Sequence, residues 1–312
     1  MKPNFYDKYS TKYNSNNYNS GSYNPYIRSD FYLIFSLLKE LLIFILLFFP
    51  YLFLAIFFTF SGNKFKSNEY FSKIFHEPFK LLSQIKHWFF QAKYTAFLIL
   101  FLFFMFAIQF LLLEPAYMNN LMVHPKHIFE GNYYSVLTSI FFHADIVHLL
   151  SNSLALLIFG RIVEKQFGAK MLGIFLASGI IANIVSNVIS IILNDLFFSL
   201  GASGAIAGLI IFAIMIEPFA FTSVFLIPLP IFIVGWGLIA LDVIGLTNPS
   251  NVNNFAHLGG YSALLIIFFF LEYKHRDKII TGFMVNLALF VLFYFIWKFS
   301  GITLTEISLF KK

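Results

Sequence analysis

The sequence predicts an all-α fold, a polytopic bundle of membrane-crossing helices, and three observations predict it. Of 312 residues, 59% are hydrophobic and only 12% charged, against roughly 25% charged in an ordinary soluble domain. Phenylalanine alone supplies 45 residues, which leaves too little polar side chain to clothe a soluble particle of this size. The apolar residues fall in long runs, and none alternates with the period of two that a membrane-spanning β-barrel requires.

Residues 1–30 are mostly Tyr, Asn, Ser and Lys, a composition that buries too little apolar surface to order itself, so they read as a disordered polar tail. Residues 31–60 form an extra N-terminal hydrophobic segment. Its apolar part, 41–60, is interrupted by Pro50 and is long enough to cross a hydrocarbon core of roughly 30 Å once; it reads equally as a spanning, re-entrant or signal-anchor segment. Residues 61–93 read as a basic linker, with Lys64, Lys66, Lys73, Lys80, Lys86 and Lys93 set against Glu69 and Glu77.

Seven further apolar runs follow, at 94–113, 144–159, 171–193, 202–216, 219–244, 257–271 and 279–297. Short runs are tolerated within a bundle, where a helix capped by buried loops need not reach both headgroup layers. Arg161, Lys165 and Lys170 follow the second run, and Lys274, Arg276 and Lys278 the sixth, which assigns those loops and the basic linker to the cytoplasmic side. The beginnings of runs two, four and six then share the opposite side, and there sit His143, His148, Asn152, Ser203 and His257.

The net charge of +6 is dispersed between apolar runs rather than gathered in an aromatic-interleaved patch, so nucleic acid is not an expected partner. With no cysteine, thiol chemistry and Cys-bound metals are excluded. A zinc site built from the histidines is disfavoured by spacing. His143 and His148 lie about 140° apart around a helix, and the H-E-x-x-H pattern is absent. Neither metal nor cofactor is expected. An aspartyl mechanism needs two carboxylates sharing a proton, and Asp242, the one acid well inside an apolar run, has no visible partner.

In Gly201-Ala202-Ser203-Gly204, Ser203 lies at the first turn of a helix, where unpaired N–H groups favour a developing oxyanion. The packing alternative is that Gly204 and Gly208 form a G-x-x-x-G helix contact. His257, in Ala256-His257-Leu258-Gly259-Gly260, is an ionisable residue at membrane depth, either functional or facing a carbonyl or headgroups. If the glycine faces of the two runs pack together, the imidazole reaches the Ser203 hydroxyl as a base must. His148 and Asn152, four apart, share a helix face and supply either oxyanion donors or an interhelical polar clamp. His143 reads as structural.

At these residues the chain resembles the rhomboid family of intramembrane serine proteases. The resemblance runs over about 94–271 and rests on His143, His148, Asn152, the stretch from Gly160 and Arg161 through Glu164 to Gly168, Gly201-Ala202-Ser203-Gly204 and Ala256-His257-Leu258-Gly259-Gly260. It implies a six-helix core within 94–273, a Ser203–His257 dyad without a third acid, and His148 and Asn152 at the oxyanion. Gly201, Gly204, Gly259, Gly260 and Glu164 stand as supporting residues. It further implies endoproteolysis of single-span transmembrane proteins in the lipid bilayer, near their non-cytoplasmic ends.

Three positions depart from the family pattern. Tyr134-Ser135 stands where many members have Trp-Arg, Ala207 replaces the aromatic residue usual under the catalytic histidine, and Leu264 replaces the second glycine of the sixth-helix G-x-x-x-G. The helix within 279–299 resembles the extra C-terminal helix of secretase-type members, and 41–60 the extra N-terminal helix of mitochondrial ones. A leader whose single arginine is Arg28 does not resemble an Arg-rich transit peptide, which points to the secretory pathway or plasma membrane. Trp236, in a run softened by Pro228 and Pro230, is a candidate gate on the fifth core helix. The rival readings are a non-catalytic rhomboid-like protein that binds or escorts membrane clients, and a transporter. The latter lacks the internal repeat such a site requires. Substrate, organelle and oligomeric state are not legible.

Overall fold

A computed structural model describes residues 51–56, 59–62, 64–73, 91–112, 120–194, 198–224, 227–246 and 253–300. The expected polar tail lies outside these residues, as does most of the N-terminal hydrophobic segment. The helices are α1 (Lys93–Leu112), α2 (Pro125–Phe129), α3 (Ser135–Thr138), α4 (Ile146–Ala155), α5 (Arg161–Phe167), α6 (Lys170–Leu193), α7 (Ser203–Ile216), α8 (Ile231–Gly245), α9 (Asn254–Ile267) and α10 (Tyr273–Ser300). A π-helical turn, Leu156–Gly160, joins α4 to α5, so that Ile146–Phe167 forms one apolar rod. Four helical segments among the described residues are long and apolar enough to cross a membrane, at Lys93–Leu111, Ile146–Phe167, Lys170–Leu193 and Tyr273–Ile296. Helices α7, α8 and α9 are shorter apolar helices.

Helix α7 is the hub. Every residue from Gly204 to Ile216 is buried, as a helix apolar on all sides must be if it is to sit at the centre of a bundle. Small residues set its neighbours' distances. A Cβ on Gly204 would come within 2.7 Å of Ala182 Cβ on α6, and one on Gly259 within 2.9 Å of the Ala182 Cα. Between α7 and α9 the approach is closer still, since a Cβ on Gly260 would overlap the Gly204 carbonyl oxygen. The glycine faces of runs four and six therefore do pack against each other. This suits a lipid setting, where close backbone approach replaces water exclusion as the source of helix association.

The run at 219–244 does not form one helix. It divides into β1 (Phe221–Val224) and β2 (Ile227–Pro230), an antiparallel hairpin that pairs Phe221 with Pro230 and Thr222 with Leu229, followed by α8. The cause is Pro228 and Pro230, which lack the N–H a helix interior needs and clash with the preceding turn. A second difference concerns Arg161 and Lys165, which lie on α5 itself rather than in a loop.

Buried charge has a structural task at the start of the bundle. Glu164, 8% exposed, accepts the backbone N–H groups of Tyr94 (3.0 Å) and Thr95 (2.7 Å) and the Thr95 hydroxyl (2.7 Å). It caps the otherwise unpaired first turn of α1 from a helix some seventy residues away. Glu164→Ala leaves these donors unpaired and is expected to destabilise the chain by about 2–4 kcal/mol. Glu164→Gln keeps one acceptor oxygen and costs about half as much. Unfolding in detergent, followed by thermal or denaturant titration, measures both.

The first loop lacks Trp-Arg but is anchored by other means. Gln109 of α1 clamps the His143 backbone at both its N–H (3.1 Å) and its carbonyl (2.6 Å). Asn183 of α6 donates to Val136 O (2.8 Å) and Ser139 Oγ (2.9 Å). Val123 and Ser199 exchange backbone hydrogen bonds at 3.0 and 2.9 Å, which stitches the loop to the segment leading into Ser203. Ser135 itself is fully buried and donates to Asn132 O.

Candidate active site

Three helix starts converge on one place. Asp145 caps α4 by accepting the His148 N–H at 2.8 Å, which sets the first turn of that helix and with it the face shared by His148 and Asn152. Asn253 caps α9 by accepting the Ala256 N–H at 3.1 Å and is itself tied to Ser186 of α6 at 2.7 Å. Helix α7 differs in that its cap is Ala202, which has no side-chain oxygen to offer. Its first N–H groups thus have no side-chain cap, at the positive end of the helix.

Gly201 is what allows α4 to meet α7. Its φ of +115° lies in the region that favours glycine, and a Cβ there would fall 2.7–2.8 Å from the His148 ring and 3.6 Å from Asn152 Nδ2. The Gly201 N–H is pinned to Ser139 O at 2.8 Å. His148 and Asn152 therefore face the loop that ends in Ser203. On the other side, the Cβ that Gly204 lacks would sit 3.4 Å from the Ala256 carbonyl oxygen, which places the neighbours Ser203 and His257 at the same end of the α7–α9 seam. Ser203 is half-buried and makes no hydrogen bond to His257 among the described residues.

Asn152 is 6% exposed and its Nδ2 has no partner among the described residues. A buried amide donor left unpaired costs about 1–3 kcal/mol. His143 is fully buried, with its ring at 5.1 Å and near-perpendicular to that of His148. Burial, reinforced by neighbouring His148, pushes the His143 imidazole down to about 4, which keeps it neutral. Among the described residues, no group of three or more His, Asp or Glu is gathered as metal ligands.

Asp242 meets no second carboxylate among the described residues, but it has partners of another kind. On α8 it reaches His257, with Oδ1 2.8 Å from Nδ1, and its Oδ2 accepts the Tyr261 hydroxyl at 2.6 Å. The side chains of His257 and Asp242 are each 15% exposed. The signals were present in the sequence: one acid inside an apolar run, and a histidine and tyrosine four apart on one helix face. Their mutual rotation was not. Trp236, one and a half turns along α8 from Asp242, is not part of the cluster. It donates to Asn286 of α10 at 2.8 Å and meets Phe290 edge-on at 4.8 Å, so it ties α8 to the C-terminal helix.

Residues 130–273 match the family model described as the Rhomboid domain. Over 166 residues, 48% of this chain and 49% of the relative, the sequence is 30% identical to RHOMBOID-like protein 12, mitochondrial, of Arabidopsis thaliana. It is 35% identical over 137 residues to Rhomboid protease GluP of Bacillus subtilis (strain 168), covering 43% of this chain and 25% of that protein. With RHOMBOID-like protein 6, mitochondrial, of Arabidopsis thaliana it shares 34% over 142 residues, 43% of each. The matches thus span about half the length of these relatives or less.

Proposed function

We propose, from the match of residues 130–273 to the Rhomboid domain model, that the chain is an intramembrane serine endopeptidase with Ser203 as nucleophile and His257 as general base. The observation that carries this reading is the convergence of three helix starts, which gathers a serine on an uncapped helix terminus, a carboxylate-bound histidine and an unpaired buried amide. A relative whose name states a protease supports it.

In this mechanism neutral His257 takes the Ser203 proton at Nε2 as Oγ attacks the scissile carbonyl carbon. The charge that forms on the carbonyl oxygen is met by the first-turn N–H of α7, Asn152 Nδ2 and His148. Collapse breaks the C–N bond, and the proton held by His257 leaves with the amine. Water then attacks the acyl ester, giving its proton to His257, and Ser203 is regenerated. The substrates are transmembrane segments that enter from the bilayer and unwind at small or helix-breaking residues to present an extended strand.

Asn152→Ala is expected to lower kcat about 10²–10³-fold with KM little changed, because the amide acts on charge that exists only in the transition state. Steady-state kinetics in reconstituted vesicles check this. The function itself is tested by cleavage of several model single-span substrates in such vesicles, with wild type and Ser203→Ala compared in parallel. Cleavage by wild type that is absent in the variant is the expected result. Equal cleavage by both, or binding without cleavage by wild type, would overturn it, the latter in favour of a client-binding protein.

A further inference from the structure

A base in a serine protease must present one ring nitrogen, unprotonated, to the hydroxyl it activates. Nothing on α7 holds the imidazole of His257 in that attitude, since Ala207, one turn beyond Ser203, offers only a methyl group, and that is packed toward Gly260. The restraint comes from α8. Asp242 is fixed at both oxygens, one on His257 Nδ1 at 2.8 Å and one on the Tyr261 hydroxyl at 2.6 Å. A carboxylate only accepts hydrogen bonds, so with Asp242 in that form both partners donate to it, which assigns the His257 proton to Nδ1. Nε2 is left with its lone pair.

We propose that Asp242 is the positioning residue for His257, forming with Ser203 a three-residue relay in which Tyr261 locks the carboxylate. This rests on the protease reading above and extends it, replacing the expected dyad by a triad assembled across α7, α8 and α9. The carboxylate fixes the tautomer and ring orientation, and it stabilises the imidazolium that forms when His257 takes the Ser203 proton. It does not itself take up the proton. A purely structural explanation of Asp242 is weaker, because an acid inside an apolar helix is costly to desolvate and an apolar residue would join α8 to α9 without that cost. Among the described residues, the titratable groups facing His257 are few. Asp242 faces it from α8, Tyr261 adjoins it on α9, and His148, with His143 and Asp145 behind it, lies close enough on α4 to feel its charge. Helices α6 and α7 bring no titratable side chain to this end.

The test uses the full chain in vesicles with a single-span substrate and compares wild type, Asp242→Asn, Tyr261→Phe and Ser203→Ala for kcat, KM and the pH profile of kcat/KM. Asp242→Asn preserves shape, and is expected to lower kcat about 10²–10⁴-fold with KM within about twofold. It should also move the acid limb to lower pH, because a lost negative charge no longer holds a proton on the imidazole. Tyr261→Phe keeps the ring and should lower kcat about 3- to 10-fold. Wild-type kcat in Asp242→Asn would overturn the proposal. So would a lowered kcat with the acid limb unmoved, which is the mark of a structural tie alone. Undiminished cleavage by Ser203→Ala would instead sink the protease reading and this role with it, and is told apart by that variant.

Discussion

His257→Ala is expected to reduce cleavage at least about 10³-fold, to the level of Ser203→Ala. The size of the loss follows from what the imidazole would do in both halves of the proposed reaction. Without it the Ser203 hydroxyl keeps its proton at neutral pH, the amine departs unprotonated, and water attacking the acyl ester has no base. Because the two side chains act as a unit, the double variant should be no slower than either single one, whereas independent contributions would multiply. The loss is not a folding defect. The α7–α9 seam is built by Gly204, Ala207 and Gly260, and the substitution frees only one oxygen of Asp242, an expected cost of about 1–3 kcal/mol. An unfolding titration run beside the kinetics separates the two effects.

Gly260→Ala is the second large effect, and it acts through geometry alone. The added methyl would overlap the Gly204 carbonyl oxygen and lie 2.9 Å from Ala207 Cβ. Its obstacle is backbone, so no rotamer change relieves it and α9 must move away from α7. Overpacking of this kind costs about 1–3 kcal/mol. The kinetic cost is larger. A displacement on the order of 1 Å between a nucleophile and its base reduces turnover about 10²-fold, and His257 rides on the helix that moves. Cleavage assays and unfolding titrations of Gly260→Ala, with Gly237→Ala as control, check this. A Cβ on Gly237 meets nothing within 4 Å, so that control should behave as wild type.

Much of the fold was legible because a membrane-crossing helix announces itself by length and apolarity. Runs at 94–113 and 171–193 correspond closely to Lys93–Leu112 and Lys170–Leu193. The run at 219–244 was misjudged because hydropathy does not distinguish a hairpin from a helix, and only Pro228 and Pro230 carried the distinction. In the candidate site, local chemistry was readable where one helix turn contains it, as with His148 and Asn152 or Ser203 beside Gly204. What joins separate helices was less so. Gly204 and Gly260 could be paired, because small residues at matching depth have one obvious use in a bundle. The contact of Asp242 with His257 depends on how α8 is rotated about its own axis, which a helix with apolar residues on nearly every side does not encode. Glu164 was placed among the supporting residues, but its work as a remote cap for α1 required the structure.

The most direct measurement is covalent labelling of the reconstituted wild-type protein with a fluorophosphonate, which phosphonylates an activated serine hydroxyl with loss of fluoride. Peptide mapping by mass spectrometry should place a single adduct on Ser203, absent from Ser203→Ala and strongly reduced in His257→Ala. An adduct on a different serine, or cleavage of substrate by a wild-type protein whose Ser203 remains unlabelled at saturating probe, would contradict Ser203 as the nucleophile.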